Sequence, residues 1–256
     1  MNNGSHCKHV IGDMLDGGLD DIVFVKHDVE CDIDRALDVA TIENSNGIRS
    51  TYYFQFDVFE SNVDKVRKIA DLGHEIAYHY DVLDAAKGDV DLAIKTFIGH
   101  INVFNRHGYD VKTVCPHGNP LMERRGWDSN KDFFRSKNVR DQVGNFLDVV
   151  VDWNEYFTFG SIYVSDAGYK WKIISNISEN DRINSKDLMV HDLGEIIDSK
   201  KSLVLSTHPH RWRKYSSSVV AIRLRFYVLR LIGKFLGRSK TIRKLLTPFY
   251  SLARRF

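Results

Sequence analysis

Cysteine and proline are scarce in this chain, with three of one and four of the other among 256 residues. Cys7, Cys31 and Cys115 lie far apart and no two have CxxC spacing. So sparse and odd a set argues against a disulfide framework and fits a reducing compartment. There is no stretch of about 18 uncharged apolar residues, which argues against a membrane-spanning helix. The first seven residues lack the apolar run of a secretory leader, and the expected location is the cytoplasm. Several motifs are missing as well. There is no GxSxG nucleophile elbow and no GxxxxGK[ST] phosphate loop. Gly17-Gly18 precedes the first strand-like run instead of following it, so no dinucleotide fingerprint exists. HExxH fails by one residue, because the histidine after His74-Glu75 comes at His79.

What is present is ordinary in bulk and uneven in detail. Hydrophobic residues make up 43% and charged residues 27%, as in a soluble globular protein long enough for one large domain or two small ones. The net charge of +2 hides a split. Residues 211–256 hold 13 Lys and Arg and no Asp or Glu, leaving 23 basic against 34 acidic residues, a net of −11, in the first 210. That asymmetry sets the last 46 residues apart from the rest.

Along the chain, Ile22-Val23-Phe24-Val25 reads as a first strand that ends on a polar cluster. Residues 34–44 carry Ala36, Leu37, Ala40 and Ile42 at near-helical spacing and close on Asn46-Gly47. Thr51–Phe54 reads as a strand, 63–72 as a helix stopped by Gly73, 74–79 as a third strand, 89–106 as a long helix and 111–115 as a fourth strand. This βαβαβαβ rhythm predicts a parallel sheet covered by helices. The Arg-rich middle, 119–138, reads as loop; 147–151 and 161–164 give further strand signals, and 202–206 the last strand. About seven strands fit a barrel or near-barrel better than an open three-layer sandwich.

The polar clusters fall just after strands, where parallel α/β folds build their sites. Asp28 and Glu30 are two apart, so on an extended backbone they face the same way. Two such carboxylates can divide the work of cation ligand and general base; the bland alternative is a solvated strand end. His74 and His79 are five apart and on an extended strand fall on opposite faces, so they share one metal ion only if the backbone turns between them. His74 fits a structural hydrogen bond, and His79, at the strand exit, fits a ligand. His117, in Cys115-Pro116-His117-Gly118-Asn119-Pro120, sits in a loop stiffened by two prolines, as a metal ligand or as a turn-stabilising ring. His208, after the last strand and before Pro209-His210-Arg211-Trp212, is placed to protonate a leaving group.

Taken together, these segments resemble the polysaccharide deacetylase superfamily (NodB homology, carbohydrate esterase family 4) over roughly residues 20–212. The branch they are most similar to is the WbmS-like one of surface-polysaccharide and O-antigen gene clusters. Lys26-His27-Asp28-Val29-Glu30 resembles its HDV[DE] motif, Gly73–His79 its GHEIxxH motif, and Leu205-Ser206-Thr207-His208 its closing LxxH motif. Asp166–Trp171 and His208–Trp212 look like branch signatures. The resemblance implies a distorted (β/α)7 barrel and a divalent metal, zinc above all. It also implies removal of an acetyl or other acyl group from an N-acylated sugar of a surface-polysaccharide precursor, nucleotide- or lipid-linked. By position it implies Asp28 as general base, Glu30 and His79 as metal ligands and His208 as general acid. The superfamily's HxxxH pair is incomplete, because Leu83 stands four residues after His79; His117 is expected to fill the gap. His27, His74, Asn119, Asp166, His210, Arg211 and Trp212 are the expected substrate contacts. Hydrolysis of a small non-sugar amide and metal-free carbohydrate binding are the other readings.

The expected domains are a barrel over 1–212 and a basic amphipathic helical extension over 213–256. In the extension Ile222, Leu224, Phe226, Leu229, Ile232 and Phe235 alternate with Arg223, Arg225, Arg230 and Lys234. That mix suits the surface of an anionic membrane, or packing on the acidic body of the same chain. Nucleic acid is not expected beside so acidic a body.

Overall fold

The first strand, β1 (Val23–Val29), is buried along all 7 of its residues although it carries Lys26, His27 and Asp28. Burial on both faces belongs to a parallel strand with a layer on each side. The strand was expected to stop at Val25; it runs on because its polar side chains find partners inside. The computed structural model describes residues 9–16, 22–119, 122–157, 160–178, 184–198 and 202–212. The basic extension 213–256, its membrane reading and Cys7 lie outside these residues.

The elements alternate as the rhythm predicts. α1 (Ile33–Ser45) follows β1, then come β2 (Thr51–Phe54), α2 (Phe56–Glu60), α3 (Val63–Asp71) and β3 (Glu75–Tyr80). Next are α4 (Val82–Ala85), α5 (Val90–Arg106), β4 (Thr113–Pro116), α6 (Lys131–Arg135), α7 (Lys137–Val143) and β5 (Leu147–Asp148). The chain continues through α8 (Trp153–Tyr156), β6 (Ile162–Ser165), β7 (Lys172–Ser175), β8 (Asn184–Asp187), α9 (Val190–Asp198) and β9 (Leu203–Thr207). The strands form a sheet in the order β5-β4-β3-β2-β1-β9-β6-β7-β8. From β5 to β6 every neighbouring pair is parallel, which gives the seven parallel strands expected. The fold is α/β, a half-barrel. Among the described residues its two end strands, β5 and β8, do not pair with each other.

Three stretches differ from the sequence reading. The Arg-rich middle is not all loop: the Asp132 carboxylate accepts from the Asp128 and Ser129 N–H groups at 2.7 and 3.2 Å, and α6 then buries Phe133 and Phe134. The strand expected over 147–151 ends at Asp148, whose Oδ1 accepts from the Val150 and Val151 N–H groups at 2.9 Å and turns the chain. Finally, β7 and β8 form an antiparallel extension of the sheet.

The layer between sheet and helices is aromatic. Phe97 of α5 is fully buried against Tyr78, Tyr80, Phe133, Phe134 and Phe146; its truncation to alanine costs about 3–5 kcal/mol. The inner face carries Phe24, Tyr53, Ala77, Cys115, Tyr163 and Val204. A 3-10 helix, Ile11–Asp16, seals the amino ends of the strands. There the Ile11 N–H donates to Thr51 Oγ1 at 2.9 Å and the Gly12 N–H to Glu75 Oε2 at 3.1 Å. A Cβ on Gly12 would meet Glu75 Oε1 at 2.6 Å, so a side chain there would have to push the Glu75 carboxylate aside. The carboxyl ends of the strands stay available for chemistry.

Candidate metal and acid–base centre

Strand alternation puts Lys26 and Asp28 on the inner face of β1, and parallel pairing brings other strand ends to the same level. Lys26 is level with Ser206 of β9, and His79 of β3 with Cys115 of β4. Glu30 lies just past β1, where Asp32 (φ 54) turns the chain and accepts from the Arg35 N–H to start α1.

Asp28 is held by a cation of the protein itself. Lys26 Nζ donates to Asp28 Oδ1 at 2.6 Å and to Ser206 Oγ at 3.1 Å, and Ser206 Oγ donates to Asp28 Oδ2 at 3.3 Å. Lys26 is fully buried, over the Tyr53 ring. Burial works against both charges, but each outweighs it for the other. The Asp28 carboxyl is held far below the usual carboxylate range, with His79 and His208 adding to the effect of Lys26. The Lys26 ammonium is held well above the usual lysine value, by Asp28 first.

Glu30 instead faces imidazoles. Its Oε1 lies 3.2 Å from His117 Nδ1, 3.7 Å from His79 Nε2 and 3.7 Å from His208 Nε2. His117 Nδ1 and His79 Nε2 are 3.2 Å apart. Burial opposes the Glu30 charge, but His117, His79 and His208 hold its carboxyl well below the ordinary value. His79 Nδ1 donates to the Cys115 carbonyl at 3.0 Å, which fixes the ring and turns Nε2 inward. Burial disfavours a charged His79, and Asp28 and Glu30 overcome it, so the ring takes a proton more readily than usual. The space between these three residues therefore asks for positive charge.

Glu30, His79 and His117 suit a divalent ion by their chemistry. One carboxylate oxygen and two imidazole nitrogens lie within 4.8 Å of one another. Ligand atoms around a tetrahedral zinc are about 3.3 Å apart, and the three separations here run from 3.2 to 3.7 Å. Asp28, His79 and Cys115 form a second such group. It fits less well, because Asp28 is already paired with Lys26 and burial, then Asp28, pushes the Cys115 thiol up.

His208 is aligned from behind. Its Nδ1 lies 2.5 Å from Asp166 Oδ1, and its N–H donates to Asp166 Oδ2 at 3.1 Å. The ring thus presents Nε2 to the site, 4.0 Å from Asp28 Oδ2. Asp166 also accepts from Arg211 Nη1 at 3.4 Å and Trp212 Nε1 at 3.0 Å. Burial opposes its charge, but His208 and then Arg211 and Trp212 hold its carboxyl low.

The structure brings Asp28, Glu30, His79, His117 and His208 together and places Asp166 behind His208. His27 and His74 are elsewhere. His27 sits on the helix-facing side of β1, between Glu43 Oε1 at 2.8 Å and Thr207 Oγ1 at 2.6 Å. His74 is bonded to the Ser50 N–H at 3.2 Å and the Ala40 carbonyl at 3.0 Å. Both side chains are buried in that layer, away from the centre. Asn119 stays in the loop beyond His117, its carbonyl accepting from the Met122 N–H at 3.3 Å. His210 packs edge-on to His208 at 5.9 Å, and burial pushes it down to about 4. Arg211 lies over Tyr169, and Trp212 stands edge-on to Trp171 at 5.7 Å. The sequence reading missed Lys26 and Ser206 as partners of Asp28. Their signal was there: Lys26 shares a strand face with Asp28.

No family model matches the chain, and neither does any curated protein. Solved structures do align with it. The family 4 carbohydrate esterase of Streptomyces lividans, in complex with acetate, is 16% identical, with 83% of this chain and 88% of that one covered and a TM-score of 0.43. The peptidoglycan deacetylase PdaC of Bacillus subtilis is 10% identical, covering 86% and 97%, with a TM-score of 0.41. A family 4 pseudoenzyme of Bacillus anthracis is 14% identical, covering 84% and 62%, with a TM-score of 0.36.

Proposed function

We propose that this protein is a metal-dependent hydrolase that removes an acetyl or related acyl group from an N-acylated sugar. One observation carries the reading. Asp28 and Glu30 lie within 4.0 and 3.7 Å of the same nitrogen, His208 Nε2, while Glu30 also faces His79 and His117. Base, ligand set and acid thus share one small space.

In this reading Glu30, His79 and His117 hold a divalent ion, zinc by preference for nitrogen donors. Such an ion supplies Lewis acidity to the acyl carbonyl and makes a water acidic enough for a carboxylate to deprotonate. The protein's own residues do the rest. Asp28, kept ionised by Lys26, accepts the proton of the attacking water. His208 offers Nε2 to the nitrogen of the scissile amide, and Asp166 fixes the orientation of that ring. Water adds to the acyl carbon, the C–N bond breaks, and the freed amine takes the His208 proton. The products are a carboxylate and an amino sugar. In this reading Arg211 and Trp212, beside Asp166, contact the sugar.

The motifs that resemble the WbmS-like branch extend the reading to a nucleotide- or lipid-linked precursor of a surface polysaccharide or O-antigen. The basic segment 213–256 extends it to an anionic membrane surface at the cytoplasmic face. Acetate release from UDP-linked or lipid-linked N-acetylated amino sugars tests the reaction, with Asp28→Asn as control. Release that survives that substitution overturns the assignment. Anionic vesicles test the segment: full-length protein co-sediments and a form ending at residue 218 does not, and equal binding ends the membrane reading.

A further inference from the structure

A buried polar cluster away from the centre has no part in the chemistry above. Asp84, 2% exposed, accepts from Arg124 Nε and Nη2 at 2.7 Å and from Trp127 Nε1 at 2.8 Å. Asn130, 0% exposed, binds both ends of this carboxylate residue: its Oδ1 accepts from the Asp84 N–H and its Nδ2 donates to Asp84 Oδ2, each at 3.0 Å. The same Nδ2 donates to the His117 carbonyl at 2.9 Å. Asn130 stands at the N-cap of α6, yet its side chain makes no capping bond. Asparagine is among the best N-cap residues, so its amide is diverted from the helix to the His117 backbone.

On the other side, the His117 N–H donates to the Tyr80 carbonyl at 2.8 Å. The backbone of His117 is thus clamped at both of its polar groups, by strand β3 and by Asn130, and only the ring is left to turn toward Glu30. Since Arg124 and Trp127 hold Asp84, and Asp84 holds Asn130, the clamp is anchored in the fold.

We propose that Asn130 is a positioning residue for metal binding, and that the Asp84–Arg124–Trp127 cluster exists to hold it. Asn130 sets the distance at which His117 meets Glu30 and His79, and so sets the affinity of the centre. The inference rests on the metal reading above. Partners that orient a ligand are worth about 10–100-fold in metal affinity.

The test is the zinc dissociation constant, measured by competition with a chromophoric chelator on the full chain, with melting temperature recorded alongside. Asn130→Ala should weaken zinc binding about 10–100-fold. Trp127→Phe, which removes a donor to Asp84 and touches nothing in the centre, should weaken it several-fold; this variant carries the test if Asn130→Ala does not fold. Val139→Ala, a truncation of the nearby buried Val139 of α7, should lower the melting temperature and leave zinc affinity as it was. Unchanged affinity in the Asn130 or Trp127 variant overturns the inference. So does an equal loss in Val139→Ala, which would make the effect one of general stability. A parent protein that binds no zinc at stoichiometry removes the metal reading, and this inference with it. Tight parental binding with an indifferent Asn130→Ala removes the inference alone.

Discussion

Asp28 and Glu30 are two residues apart at the end of one strand, and their surroundings differ in kind. Asp28 meets an ammonium built into the core, with Lys26 Nζ at 2.6 Å and Ser206 beside it. Glu30 meets the rings of His117, His79 and His208, none of which carries a fixed charge. A carboxylate with its own permanent cation is ready as an anion at any physiological pH. One surrounded by imidazole nitrogens offers a ligand set for a cation taken from solution. Neighbouring carboxylates thus acquire different chemistry from what lies one strand away.

The largest effect is expected at Glu30. Glu30→Gln should abolish stoichiometric zinc and bring activity to the level of metal-stripped protein, checked by metal analysis and acetate release. Asp28→Asn breaks the other half: the rate should fall about 10²–10⁴-fold with zinc content unchanged, and loss of zinc in that variant would erase the distinction between the two carboxylates. Lys26→Met tests the built-in cation. It leaves a buried carboxylate unpaired, at about 3–5 kcal/mol of stability, and Lys26→Met with Asp28→Asn should recover most of that in urea unfolding.

A third buried carboxylate supplies the smallest and most instructive contrast. Asp148 is bonded to the Tyr80 hydroxyl at 2.6 Å and to two backbone N–H groups. With these neutral partners, burial pushes it up to about 6. The folded chain therefore keeps a proton that the unfolded chain releases near the ordinary carboxylate value. Stability contributed by Asp148 should fall as pH rises through that interval to about 6, and stay level above it, a change of about 2–3 kcal/mol. Asp148→Asn should flatten that slope in unfolding measured from pH 4 to 7. Asp28, held low, contributes in the opposite sense: its stabilisation is present at neutral pH and is lost in acid.

Much of this was legible in the sequence, for reasons that can be named. Short apolar runs ending in His and acid located β1, β3, β4 and β9, because parallel strands gather their carboxyl ends. The five-residue spacing separated His74 from His79, which the structure places on opposite sides of the sheet. Lys26 was passed over because lysine in a strand usually reaches water; it is buried because Asp28 and Ser206 satisfy it. α9 carries Gly194 within it, which weakens a helical signal. β7 is half-buried along most of its length and has no clear alternation. His27 and His74 belong to sequence motifs but serve the layer behind the sheet, a division that needs the positions of Glu43, Thr207 and Ala40 to see.

β1 carries two polar sets on alternate faces: Lys26 and Asp28 toward the centre, His27 toward α1. Inserting one residue before Lys26 would exchange the two sets, placing an ammonium under the helix and an imidazole in the barrel. Inserting two would keep the faces and shift only the depth. The segment is therefore doubly constrained: variation that retunes the centre must also keep the seam between β1, β9 and α1 closed.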